Sequence, residues 1–192
     1  MRFIFTGLIV VVLAAASFGQ GEQAPIIEKD VVYKDWSYKN VASGENVNLR
    51  EFTKGKKLVL VAYYAPWCPN WKVNAPIIQR LYDKYKAKGL GVIGVGEYDP
   101  VESMKTNFEA LKLTFPSVYE SDTRAAKQTS LHYKYRKATG DARGWGSPWY
   151  LFLMPSKMEK SGDVLTKKAF VVNGEIVEEE AGKFIGERLG GR

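Results

Sequence analysis

Two apolar runs constrain the fold of this chain more than any other feature. Leu58–Tyr64 (LVLVAYY) and residues 90–95 (LGVIGV) are short, continuous and rich in β-branched or aromatic residues. Such runs read as strands buried on both faces. Between them the pattern turns helical. Val73, Ile77, Leu81 and Tyr85 recur every four residues with Ile78 and Tyr82 alongside, and Gln79, Arg80, Asp83, Lys84 and Lys86 form the polar side. Gly89 stops this helix, and Pro76 inside it predicts a bend.

The same alternation continues in both directions. Residues 31–38 alternate as a strand, and the Ser43-Gly44-Glu45-Asn46 turn precedes an extended piece at 47–49. Residues 100–112 read as a helix with Met104, Phe108 and Leu111 on one face. A short extended piece at 115–119, a third helix over 123–137 and a glycine-rich loop over 140–147 follow. Trp149–Leu153 is a strand. Residues 169–172 and 175–177 flank Asn173-Gly174, a strong hairpin signal. Residues 178–189 close the chain as a helix with Ala181, Phe184, Ile185 and Leu189 inward, and Glu178, Glu179 and Glu180 suit its positive end.

At 192 residues with 45% apolar and 26% charged side chains, this is one globular domain with or without a tail, and disorder is excluded as its main state. The chain has one cysteine and one histidine. An intramolecular disulfide and a cysteine-built zinc site are therefore impossible, and Cys68 with His132 would supply only two of four usual zinc ligands. No metal or cofactor is expected. His132, the only candidate base for a Ser-His-Asp triad, reads as a structural histidine, surface or half-buried. Gly94 and Gly96 lack the third glycine of a dinucleotide loop. Glu97 and Asp99, at the end of the second apolar run, read as solvated strand-end residues in preference to a border of the site.

Residues 1–19 have the form of a secretory signal. Arg2 gives a positive start, residues 3–18 are almost wholly apolar, and Ser17 and Gly19 are small residues before a cut at Gln20. The apolar run is short for a membrane-spanning helix. The expected location is therefore exported, periplasmic or secreted, with no stable membrane insertion after cleavage. Loss of Arg2 lowers the formal net charge of +7 by one. The lysines are scattered and no aromatic-basic nucleic-acid motif is present, so no nucleic-acid partner is expected.

The turn after the first apolar run carries the chemistry: Ala65-Pro66-Trp67-Cys68-Pro69-Asn70-Trp71-Lys72. Cys68 falls at a helix N-terminus, where unpaired N–H groups and the helix dipole favour thiolate, the nucleophile of thiol–disulfide exchange. Pro69 suits the first helical turn because its missing N–H loses no partner. The alternative is a buried, inert cysteine packing as a small apolar residue.

Residues 59–76 (VLVAYYAPWCPNWKVNAP) resemble the active-site region of thioredoxin-like proteins, and most of all the exported TlpA/ResA-like thiol–disulfide oxidoreductases. The likeness extends through residues 89–95, Thr114-Phe115-Pro116 and Gly146-Ser147-Pro148 to Asn173-Gly174. It implies a thioredoxin-like three-layer α/β sandwich, with a mixed sheet and helices on both faces. Residues 20–43 would form an N-terminal extension and residues 44–192 the thioredoxin-like domain. By this resemblance Cys68 is the nucleophile, Trp67 the tryptophan before it, Pro76 the helix-kinking proline and Pro148 the cis-proline that helps bind extended peptide.

The departures from the family matter equally. Trp71 stands where the family has its second cysteine, Asn74 where many exported members have an acid, and Ala62 where cytosolic thioredoxins have a buried aspartate. The two-cysteine cycle is thereby excluded. Three classes remain: a one-thiol redox enzyme acting on protein thiols or disulfides, a non-catalytic module binding an exported partner or peptide, and a peroxiredoxin-type peroxidase. The binding set would be Trp67, Trp71, Trp145, Ser147 and Pro148, with Trp149 as a core or binding residue and Arg143 as an anionic contact. The peroxidase family uses Thr or Ser where this chain has Ala65, which disfavours the third class.

Overall fold

In the computed structural model, which describes residues 22–190, the two apolar runs are adjacent strands at the centre of a sheet. The strands are β1 (Ile27–Lys34), β2 (Ser37–Asn40), β3 (Asn46–Asn48), β4 (Leu58–Tyr64), β5 (Leu90–Gly96), β6 (Ser117–Tyr119), β7 (Trp149–Leu153) and β8 (Val164–Val172). The helices are α1 (Leu49–Thr53), α2 (Pro69–Tyr85), α3 (Val101–Ala110), α4 (Leu131–Ala138) and α5 (Glu178–Arg188). The strand order is β1-β8-β7-β4-β5-β6-β2-β3. β4 runs parallel to β5, from Leu58 opposite Leu90 to Tyr64 opposite Gly96, and β5 runs parallel to β6. The β4–β7, β7–β8, β1–β8, β2–β6 and β2–β3 pairs are antiparallel, so the sheet is mixed.

Every residue of β4 and β5 is buried. Successive side chains point to opposite faces, and each face has its own core. Leu58, Leu60, Ala62 and Tyr64 pack with Val92, Tyr150 and Phe152 against α2, α3 and α5. Val59, Val61 and Tyr63 pack with Ile93, Val95, Trp149 and Leu151 against Leu49 of α1 and Tyr135 of α4. This is the three-layer α/β sandwich with helices on both faces. The inward residues expected of α5 (Ala181, Phe184, Ile185 and Leu189) are all buried. Residues 20–43 contribute β1 to one edge of the sheet and β2 to the pairing with β6. The export segment expected at 1–19 lies outside the described residues.

Several expectations are corrected by specific interactions. The strand expected over 31–38 is two strands, because the Asp35 carboxylate turns aside to accept from the Arg50 N–H and Nε (both 3.1 Å) and from Asn48 Nδ2 (3.0 Å). Leu49 opens a helix, since Asn48 Oδ1 caps it by accepting from Glu51 N at 3.0 Å. The helix expected over 123–137 begins only at Leu131. Ser130 Oγ caps that start by accepting from Tyr133 N, and the Glu120 carboxylate accepts from Leu131 N and His132 N. In α2 the buried stripe is Trp71, Asn74, Ala75, Ile78, Leu81 and Tyr85, whereas Ile77 is half-buried and Val73 is 68% exposed.

Asn173-Gly174 is not a hairpin turn. A type I′ turn needs positive φ at both central residues, and neither residue has it. The Asn173 side chain instead accepts from Trp149 Nε1 (2.8 Å) and Thr139 Oγ1 (3.2 Å) and donates to the Thr139 carbonyl (3.0 Å). Glu175 then bridges in parallel to the chain near Gln23. A Cβ on Gly174 would lie 2.0 Å from the Glu22 carbonyl oxygen, so close approach fixes glycine here. Asn173→Ala strands the buried Trp149 N–H and should cost about 1–3 kcal/mol, measurable as a lower urea midpoint. An unchanged midpoint would show that the Asn173 bonds contribute nothing.

Candidate active site

Cys68 sits where β4 hands over to α2. Its N–H donates to the Ala65 carbonyl at 2.9 Å, and its own carbonyl accepts from Lys72 N at 3.2 Å, so Cys68 is the N-cap residue and Pro69 the first helical residue. Cys68 is only 6% exposed. Its Sγ donates to the Ser147 carbonyl at 3.1 Å, and Ser147 Oγ accepts from Ala65 N at 2.9 Å. Ser147 thus holds the Cys68 turn at two points. The Ser147–Pro148 peptide bond is cis, as the resemblance implies, and both residues are buried.

Trp71 and Asn74 face inward from the first turns of α2. Trp71 is fully buried, stacks on Tyr64 at 4.7 Å and donates Nε1 to Asn107 Oδ1 of α3 at 2.9 Å. It offers a partner no surface. Asn74 donates to the Ile176 carbonyl (2.9 Å) and accepts from Ile176 N (2.9 Å) and the Tyr150 hydroxyl. Its amide is spent pinning α2 to the segment before α5. Pro76 is half-buried inside α2, where it has no N–H to give the helix, and Trp149 is a core residue.

The accessible part of the site is aromatic. Trp67 and Trp145 are half-buried and meet edge to face, 5.3 Å apart at 79°. The Arg124 guanidinium lies 4.8 Å from the Trp67 ring and the Lys127 ammonium 4.5 Å from the Trp145 ring, within cation–π range. Tyr98, which sequence reasoning missed, ties this pair to the core. Its carbonyl accepts from Trp67 Nε1 at 3.4 Å, its ring lies 5.4 Å from Trp145, and its hydroxyl bonds His132 Nδ1 at 2.9 Å. Tyr98 holds φ at 63°, a conformation rare for a bulky residue. Beside Trp67, a groove of about 600 Å³ is lined by Lys72, Asp99, Glu102 and Asn107 among others, and Cys68 is not part of its wall.

The loop carrying Trp145 and Ser147 is shaped from within. Arg136 of α4 is fully buried and donates Nη1 to the Arg143 carbonyl (2.7 Å) and Nη2 to the Gly144 carbonyl (2.8 Å), with Asp141 at 3.7 Å. Gly146 holds φ at 62°, and a Cβ there would meet the Arg136 side chain at 2.5 Å. Arg143 was expected to be an anionic contact for a ligand. It is instead engaged internally, paired with Asp141 and Glu22 at 2.8 Å each and donating to the Pro148 carbonyl.

Residues 21–145 match the sequence profile of the AhpC/TSA family. The chain belongs to the AhpC/TSA family. Over 77 residues it is 30% identical to the thiol-disulfide oxidoreductase ResA of Halalkalibacterium halodurans, a match spanning 40% of this chain and 43% of the relative. Over 180 residues it is 26% identical to a protein of Mesembryanthemum crystallinum named as a probable phospholipid hydroperoxide glutathione peroxidase, covering 87% of this chain and 97% of that one. Its fold matches that of a secreted Mycobacterium tuberculosis disulfide oxidoreductase homologous to E. coli DsbE with a TM-score of 0.57, at 14% identity, over 79% of this chain and 95% of that structure. The fold is thioredoxin-like, within a family that includes thiol–disulfide oxidoreductase relatives, and this member carries a single cysteine.

Beneath the site this AhpC/TSA member buries two titratable groups. Glu97, expected to be solvated, is fully buried and accepts from Ser121 Oγ. Burial, and then the charge of Glu120, holds its carboxyl well above the usual carboxylate range. His132 is fully buried and stacks on Tyr63 at 4.9 Å. Burial, and then the Arg136 guanidinium, holds its imidazole well below the usual range. No sequence periodicity marks either group.

The two groups act on stability in opposite directions. The unfolded chain protonates His132 below about pH 6.5 and the folded chain does not, so stability falls on acidification there. The unfolded chain ionises Glu97 above about pH 4.3 and the folded chain does not, so stability falls as pH rises towards the folded value. Urea titrations from about pH 4.3 upward should show Glu97→Gln removing a decline of up to about 1.4 kcal/mol per pH unit, the His132 contribution being common to both proteins. An identical slope in the variant would contradict a buried neutral Glu97.

Proposed function

We propose that this is an exported thioredoxin-fold protein whose Cys68 performs thiol–disulfide exchange limited to one thiol. The observation that carries the reading is the placement of Cys68: at the N-cap of a 17-residue helix, with its sulfur against the carbonyl that precedes the cis bond to Pro148. In the exchange, the Cys68 thiolate attacks one sulfur of a partner disulfide. A Cys68–partner disulfide forms, and the other partner sulfur leaves as thiolate and takes up a proton. No second thiol exists in the chain to attack that bond. A thiol from outside must do so, releasing Cys68 and leaving the outside thiol joined to the partner sulfur.

Export rests on residues 1–19, whose pattern is that of a secretory signal. The described residues include no helix long and apolar enough to cross a membrane. The secreted Mycobacterium tuberculosis neighbour agrees with export, although its likeness concerns the fold alone.

A second reading, a partner- or peptide-binding module, is favoured by a different observation. The sulfur is buried and its S–H is engaged, whereas Trp67 and Trp145 are the aromatic surfaces left accessible. Indole rings in such positions give large contact areas.

Reaction of the native protein with dithiodipyridine separates these readings. Exchange predicts release of one equivalent of pyridinethione from the folded chain and none from Cys68→Ser. Release only after denaturation would overturn the exchange reading and leave the binding one. Partner capture that survives Cys68→Ser but not Trp145→Ala would support the binding module.

A further inference from the structure

A second cavity lies away from Cys68, between the C-terminal end of α3 and the turn after β2. Its volume is about 390 Å³, and its walls are mostly apolar, with Val41, Phe108, Phe115 and Pro116 among them. That size and character are those of small-molecule sites. Lys105 and Glu109 of α3 and Lys112 just beyond its end also line it. Neither lysine has a carboxylate within 4.0 Å among the described residues, and two lysines against one glutamate leave the lining with a net positive charge.

Lys112 holds φ at 52°. It occupies the left-handed position that ends α3, with its N–H on the Glu109 carbonyl and the next N–H, of Leu113, on the Phe108 carbonyl, both at 3.0 Å. Glycine is the ordinary residue there. Here a cation is held in a strained conformation in the lining of an apolar cavity, and strain of this kind points towards function.

We propose that this cavity binds a small amphipathic anion, a medium-chain carboxylate whose tail packs on Phe108, Leu113 and Pro116 and whose head is drawn to Lys105 and Lys112. The charge of the lining selects an anion, and the apolar walls select an apolar tail. Phe108 also borders the core beneath Cys68, with its ring 6.5 Å from Trp71 and 5.2 Å from Tyr64, but the cavity does not depend on the reactivity of Cys68.

The test is an amide NMR titration of the full chain with decanoate, and with decanol in a parallel arm, both below their aggregation limits. Saturable shifts confined to residues around Val41, Lys112, Leu113 and Phe115 are expected. Decanol should bind more weakly. The exposed double substitution Lys105→Glu with Lys112→Glu should weaken decanoate binding about tenfold or more, with shifts elsewhere in the spectrum unchanged. Shifts that never saturate or spread over the surface would overturn the proposal. So would equal affinity for decanol, or undiminished decanoate binding by the double variant.

Discussion

Ser147 holds the turn that carries Cys68 from two sides, and the rest of the site depends on that hold. Its hydroxyl accepts from the last N–H before the turn, at Ala65, and its carbonyl accepts from the sulfur. These bonds span 82 and 79 residues of chain. They close only because β4 and β7 lie side by side in the sheet, so that the end of one strand meets the beginning of the other. The loop bearing Ser147 is in turn given its shape by the buried guanidinium of Arg136 and by Arg143. The position of the lone cysteine is thus set by strand order and a buried arginine together with the local helix start.

Around this clamp the first turns of α2 contribute packing rather than reactive groups. Trp71 is a core side chain bonded to α3, and Asn74 is a neutral bracket between α2 and the chain before α5. Neither can accept a proton from a thiol or attack a disulfide. What remains on the outside is Cys68 itself, nearly covered, and the Trp67–Trp145 pair with its flanking cations. A one-thiol reaction and a binding surface are both compatible with that remainder, and they differ in whether the sulfur can be reached.

Much of the architecture was legible because burial on both faces leaves a continuous apolar signature in β4 and β5, and because α5 has clean helical periodicity. The cysteine at the helix start and the proline that follows the cis bond were legible as a motif. Other features were not. The stripe of α2 was misassigned at Val73 because Trp71 and Asn74, which the apolar period does not count, turn inward to bond α3 and Ile176. Asn173-Gly174 has the composition of a turn, yet Trp149 and Thr139 recruit the asparagine and the Glu22 backbone demands the glycine. Glu97, Tyr98 and Arg136 are buried polar residues, with Glu97 bonded to Ser121, Tyr98 to His132 and Arg136 to the carbonyls of the loop that follows it. Nothing in local pattern separates them from solvated residues of the same type.

In the proposed reaction Cys68 forms a mixed disulfide that this chain, with one cysteine, cannot resolve alone. Intact-protein mass spectrometry tests it most directly. The native protein is treated with a disulfide-containing peptide, freed of excess reagent, and followed over time. The expected result is one adduct on Cys68 that persists unchanged and is released only when a small thiol is added. Failure of the folded protein to form the adduct, or its loss without added thiol, would contradict it.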